Sequence, residues 1–137
     1  MISVEVLRER VRAVRDRDEV LDTCLEAFAV IEYLCGEYAR NESDLYPTWM
    51  SAIAPACSGR CAMGGPLPLD PGAEATEVSL DRTDEDEMAG QLADLAAAVR
   101  GRLQELTGEM VDVSLRNACE RGIAAAEEIC LLLGADG

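Results

Sequence analysis

Residues 20–38 read VLDTCLEAFAVIEYLCGEY, and the spacing of their apolar positions decides the fold class. Val20, Cys24, Ile31, Leu34, Cys35 and Tyr38 recur at helical intervals beside Leu21, Leu25 and Phe28, which predicts an α-helix. The stripe is wide, as in a helix packed on several neighbours. Upstream, Val4, Leu7, Val11 and Val14 keep alternating three and four spacings, interrupted only where Asp18 takes a seam position. Residues 3–40 therefore read as helix, either one long rod or two pieces.

Working outward, Ser43 or Asp44 is placed to cap a second helix, in which Trp49, Met50, Ile53, Ala54, Cys57 and Cys61 share a face through Met63. Pro55 removes a backbone donor there, so a kink or an irregular last turn is expected. GGPLPLDPGAEATEVSL, residues 64–80, has glycine and proline punctuation without a helical period, which predicts a long connection over 66–82. Thr83 then precedes DEDE, a capping hydroxyl before acids that complement the positive end of a helix dipole. Met88, Leu92, Leu95, Val99, Leu103 and Leu106 carry that helix to the turn at Thr107–Glu109. A last helix follows, with Leu115, Ala118, Cys119, Gly122, Ile123, Ala126, Ile129, Cys130 and Leu133 on its inner face.

The expected architecture is all-α: a single domain over 1–137, an antiparallel four-helix bundle with an N-terminal helical extension at 1–18 and a long loop between its second and third helices. Residues 3–17 hold five arginines and three acids. That basic balance directs the extension toward the acidic segment 81–87 or toward a partner subunit. In the second case Val4, Leu7, Val11 and Val14 become contacts of a homodimer.

With 27 acids against 12 arginines, and no lysine or histidine, the 137-residue chain has a formal net charge of −15. Nucleic acid and anionic membrane surfaces both repel such a chain, whereas a basic protein partner is electrostatically suited to it. The opening MISVEVLRERVRAVRDRDEV is amphipathic and too charged for a signal peptide or a membrane span, so a cytoplasmic location is expected. The arginine-only, alanine-rich bias points to a bacterial genome.

Six cysteines, at 24, 35, 57, 61, 119 and 130, are expected to be free thiols in a reducing compartment. Cys24 and Cys35 are eleven residues apart, as are Cys119 and Cys130, so each pair shares one helix face. Antiparallel first and last helices would bring Cys24 level with Cys130, with Cys57 or Cys61 folded near them. Four thiolates suit zinc, and soft sulfur suits Cu(I). Core filling competes with that reading, because free cysteine packs as a small hydrophobe. A redox pair of Cys57 and Cys61 would need Gly59 to break the helix.

Conventional catalysis finds no support. Without histidine there is no Glu-x-x-His di-iron motif and no imidazole base, and without lysine there is no Schiff base. Glu32 and Asp22 are conceivable general bases only if buried. Arg8, Arg12 and Arg15 share a helical face but are interleaved with Glu5, Glu9 and Asp16, as on a salt-bridged surface. Tyr46, Trp49, Met50 and Met63 either close the core or line an apolar pocket or partner surface. The expected function is non-catalytic, through protein contacts and with no cofactor; the alternatives are a thiolate metal (Zn or Cu) or thiol-redox protein, and a small apolar ligand binder.

Overall fold

The computed structural model describes residues 4–40, 45–64, 85–109 and 112–134, and every regular element among them is helical: α1 (Val4–Ala13), α2 (Arg17–Arg40), α3 (Tyr46–Ala62), α4 (Glu85–Thr107) and α5 (Val113–Leu133). The connection expected over 66–82 and the caps expected at Ser43, Asp44 and Thr83 lie outside the described residues. No helix among the described residues is long and apolar enough to cross a membrane.

Residues 4–40 do not form a rod. The Asp16 carboxylate accepts from the Glu19 amide (3.4 Å) and its carbonyl from the Val20 amide (2.9 Å), which starts α2 afresh. Arg102 of α4 donates to the Val14 carbonyl, an acceptor left at the end of α1. The chain therefore doubles back. Arg10 reaches Glu26 of α2 at 3.0 Å, and Arg8 reaches Asp94 of α4 at 3.6 Å.

Two forces hold α1 in that seam, and their sizes differ. Val4, Leu7 and Val11 are buried, an apolar contribution of about 5–9 kcal/mol at the usual value per side chain. Partly exposed ion pairs contribute about 0–1 kcal/mol each. The apolar stripe governs the docking, and it faces this chain's own helices. Helix α1 meets α4 with an ion pair at Asp94, while residues 81–84 of the acidic segment lie outside the described residues. One expectation is corrected, since the candidate dimer residues Val4, Leu7 and Val11 are already covered, with Val14 half-buried against the same core.

The longer helices pack in the succession α2, α3, α5, α4, with α1 between α2 and α4. Tyr38 stacks on Trp49 at 4.8 Å between ring centroids, and the backbone of Gly59 lies against the Phe28 ring, so α2 and α3 run antiparallel. Gly122 of α5 sits between Leu103 of α4 and Met63 beyond the end of α3. The Cys130 thiol donates to the Ala93 carbonyl at 3.5 Å. These pairings make α5 antiparallel to α4. Helix α3 runs through the buried Pro55 to Ala62; its irregularity comes after that, where the Gly64 amide bonds back to the Cys61 carbonyl at a φ of 93°.

Glycine substitutions separate close packing from helix propensity. A Cβ at Gly59 would enter the Phe28 ring, and one at Gly122 would lie 2.9 Å from both Leu103 and Met63. Gly59→Ala and Gly122→Ala should each lower stability by about 1–3 kcal/mol through overpacking. Gly90→Ala and Gly101→Ala meet nothing within 4 Å and should raise it by about 0.5–1 kcal/mol. Urea unfolding of the four variants checks both signs.

Candidate functional site

Helix α3 differs chemically from the other four. It has no carboxylate, and its single charged residue is Arg60. Trp49, Ala52, Pro55, Ala56 and Gly59 are its buried positions. Tyr46 (48 % exposed) and Met50 (45 %) therefore face outward, with Ser51, Ala54, Ser58 and Cys61 exposed beside them and Ile53 and Cys57 half-buried. This corrects the expected inner face: Met50, Ala54 and Cys61 do not join Trp49 in the core. The small residues turn inward instead, because they let α3 approach α2 until Gly59 touches Phe28.

A groove flanks this face on each side. The α2 side, about 380 Å³, is lined by Glu32, Tyr33, Gly36, Arg40, Ile53 and Arg60. The α5 side, about 440 Å³, is lined by Pro55, Ser58, Cys61, Arg121, Ala125 and Glu128. Between them lie Cys57 and Cys61, one helical turn apart on α3. Arg60 Nη2 stands 3.6 Å from Cys57 Sγ, while Glu32 holds the guanidinium at 2.6 and 3.4 Å. Partial burial raises the Cys57 thiol, and the nearby Glu32 and Cys61 raise it further against the pull of Arg60. Cys57 is thus a protonated thiol at neutral pH, unlike the depressed thiolate of a nucleophilic cysteine. Gly59 holds α3 against Phe28 without breaking the helix, so the condition set for a Cys57–Cys61 redox pair is not met.

The other thiols belong to the interior. Cys24 and Cys35 are fully buried, and desolvation pushes each up to about 12; Cys119 adds to the rise at Cys24 and Arg102 opposes it. Burial also raises Cys119 and Cys130. Because α2 and α5 are both antiparallel to α3, they run parallel to each other, and Cys24 comes under the influence of Cys119 rather than meeting Cys130. The eleven-residue spacing aligns the two pairs equally well in either direction, so it carried no information on polarity. Cys24, Cys57, Cys61 and Cys130 do not converge, and among the described residues no group of three or more Cys, Asp or Glu side chains is placed to hold a metal.

Trp49 is fully enclosed and Met63 is seated on Gly122, so both close the core, while Tyr46 and Met50 stay on the surface. Glu32 is engaged with Arg60, and Asp22 is exposed. Arg8 and Arg12 pair with Glu9, in keeping with a salt-bridged helix surface. The missed feature, an outer helix face without charge, had a signal in the sequence: Tyr46 to Ala62 contains no acid in a chain with 27 of them. Comparison with known proteins gives no match to a family model, to a curated protein or to a solved structure.

The buried thiols make stability fall in alkali. Unfolded cysteines ionise near 9, whereas Cys24 and Cys35 hold their protons to about 12 in the fold. Between those values the unfolded chain binds fewer protons, so stability that is complete below pH 9 is lost as pH rises toward 12, on the order of a few kcal/mol per thiol. Urea midpoints measured across this window should drop for the native chain, and the drop should be smaller in Cys24→Ala and Cys35→Ala.

Proposed function

We propose that this protein is an antiparallel four-helix bundle, braced by α1 along one seam, that works through protein contacts by joining a second copy of itself on the outer face of α3. The observation that carries this reading is the uncharged surface of α3, formed by Tyr46, Met50, Ala54, Ser58 and Cys61 in a chain of net charge −15. Interfaces lose charge at their centre and favour Met and Tyr. Two copies of so acidic a chain repel each other wherever acids meet, and α3 is the one described helix that presents no carboxylate to a neighbour. Ala54 and Ser58, four apart on the exposed side, leave room for close helix approach across a two-fold axis. The dimer expected from the sequence is kept, but on a different helix.

The proposal fixes the sign of the salt effect. Screening weakens like-charge repulsion between copies, so added salt should strengthen association, whereas a complex with a basic partner would weaken. Sedimentation equilibrium of the native chain should give a dimer that tightens with salt. Met50→Glu or Ala54→Arg should shift it to monomer, while Leu131→Glu, on the exposed side of α5, should leave it unchanged. A native chain that stays monomeric at high salt would sink the proposal.

A further inference from the structure

The neighbouring thiols of Cys57 and Cys61 on α3 are left without a role by the contact function, and their spacing defines a chemistry of its own. Cys57 and Cys61 lie one helical turn apart on the same side of α3, flanking Gly59, whose backbone packs against the Phe28 ring. Cys61 is exposed and Cys57 half-buried, so an incoming ion has access to one sulfur first and the second lies beside it. No third cysteine or carboxylate completes a tetrahedral set among the described residues. Among the described residues the pair is therefore a two-sulfur site, suited to a soft cation that accepts two thiolates.

We infer that Cys57 and Cys61 bind one Cu(I) ion per chain as a bis-thiolate. Each S–H bond gives its proton to solvent, two S–Cu bonds form, and the copper stays Cu(I), so no oxidant or reductant is required. The ion and two thiolates carry a net charge of −1. Arg60, 3.6 Å from Cys57 Sγ and fixed by Glu32, places a guanidinium beside that charge. Arg60 is therefore a positioning residue that stabilises the loaded site without ligating the ion.

Both ligands lie on one chain, so the site needs no partner copy to form, and the test separates ion uptake from self-association. Under anaerobic conditions, the native chain titrated with Cu(I) against a chromophoric Cu(I) chelator should take up one ion per chain, and the same in the Met50→Glu background. Cys61→Ser and Cys57→Ser should each weaken uptake by about tenfold or more, and Arg60→Gln by a smaller factor. Cys24→Ser and Cys119→Ser should keep it. Cys61 is on the surface, so its variant remains folded, as far-ultraviolet circular dichroism would verify. Native affinity retained in Cys61→Ser, failure of the native chain to compete with the chelator, or one ion per two chains would each overturn the inference.

Discussion

The contact on which the arrangement rests is the one between Gly59 and the ring of Phe28. A side chain at position 59 would hold α3 away from α2; its absence lets the backbone sit on the aromatic face, and that approach sets how α3 is turned about its own axis. With Gly59 inward, Ala52, Ala56 and Trp49 follow on the same side, and Trp49 meets Tyr38. Met50, Cys57 and Cys61 are then carried outward by helical geometry alone. The same rotation puts Arg60 at the α2 groove, within reach of Glu32. The uncharged face, the thiol pair and the fixed guanidinium are thus consequences of one close approach between helices.

How legible a helix is in sequence depends on whether polar residues mark its outside. Helices α4 and α5 carry acids and arginines opposite their apolar stripes, and Leu92, Leu95, Val99 and Leu103 in one, Cys119, Gly122, Ala126 and Ile129 in the other, lie inside as the spacing requires. In α3 the apolar and small residues run nearly all the way round, so periodicity has nothing to orient, and side-chain area alone points the larger residues to the core over the smaller ones. Packing reversed that order, since helix approach rewards small residues more than it rewards the area of Met50. The break at Asp16 was obscured for a related reason. Apolar spacing resumes after a single interruption at Asp18, and the capping bonds to Glu19 and Val20 are what reveal that the chain turns there.

Polarity was the second thing spacing could not convey. An eleven-residue interval in two helices aligns their cysteines whether those helices run parallel or antiparallel, and only the order of packing chooses between them. Here α3 separates α2 from α5, and each is antiparallel to it, so the diagonal pair runs parallel. Cys24 is buried in the interior under the influence of Cys119, and desolvation keeps its thiol protonated. Interior thiols of this kind are packing residues; a metal ion there would require both removal of tightly held protons and burial of its charge. The same element placed on the surface of α3 escapes both costs.

The two proposals share a helix face, and thermodynamics couples them. A helix without charge on its exterior resembles one made to be covered on all sides, yet Cys57 and Cys61 occupy that exterior. Loading the thiols converts a neutral patch into one with a local negative charge, moderated by Arg60, in a chain already at −15. Any change this makes in the association of two copies must be matched by an equal change, produced by association, in the affinity for the ion. Covering the face also excludes water from the sulfurs, which strengthens the interaction between the guanidinium and the bis-thiolate while increasing the penalty for bringing two like charges together. The balance between those opposed terms is set by how far apart a two-fold axis holds the two thiol pairs. The small residues Ala54 and Ser58 therefore matter to copper and to contact alike, since they determine how closely two α3 helices can approach.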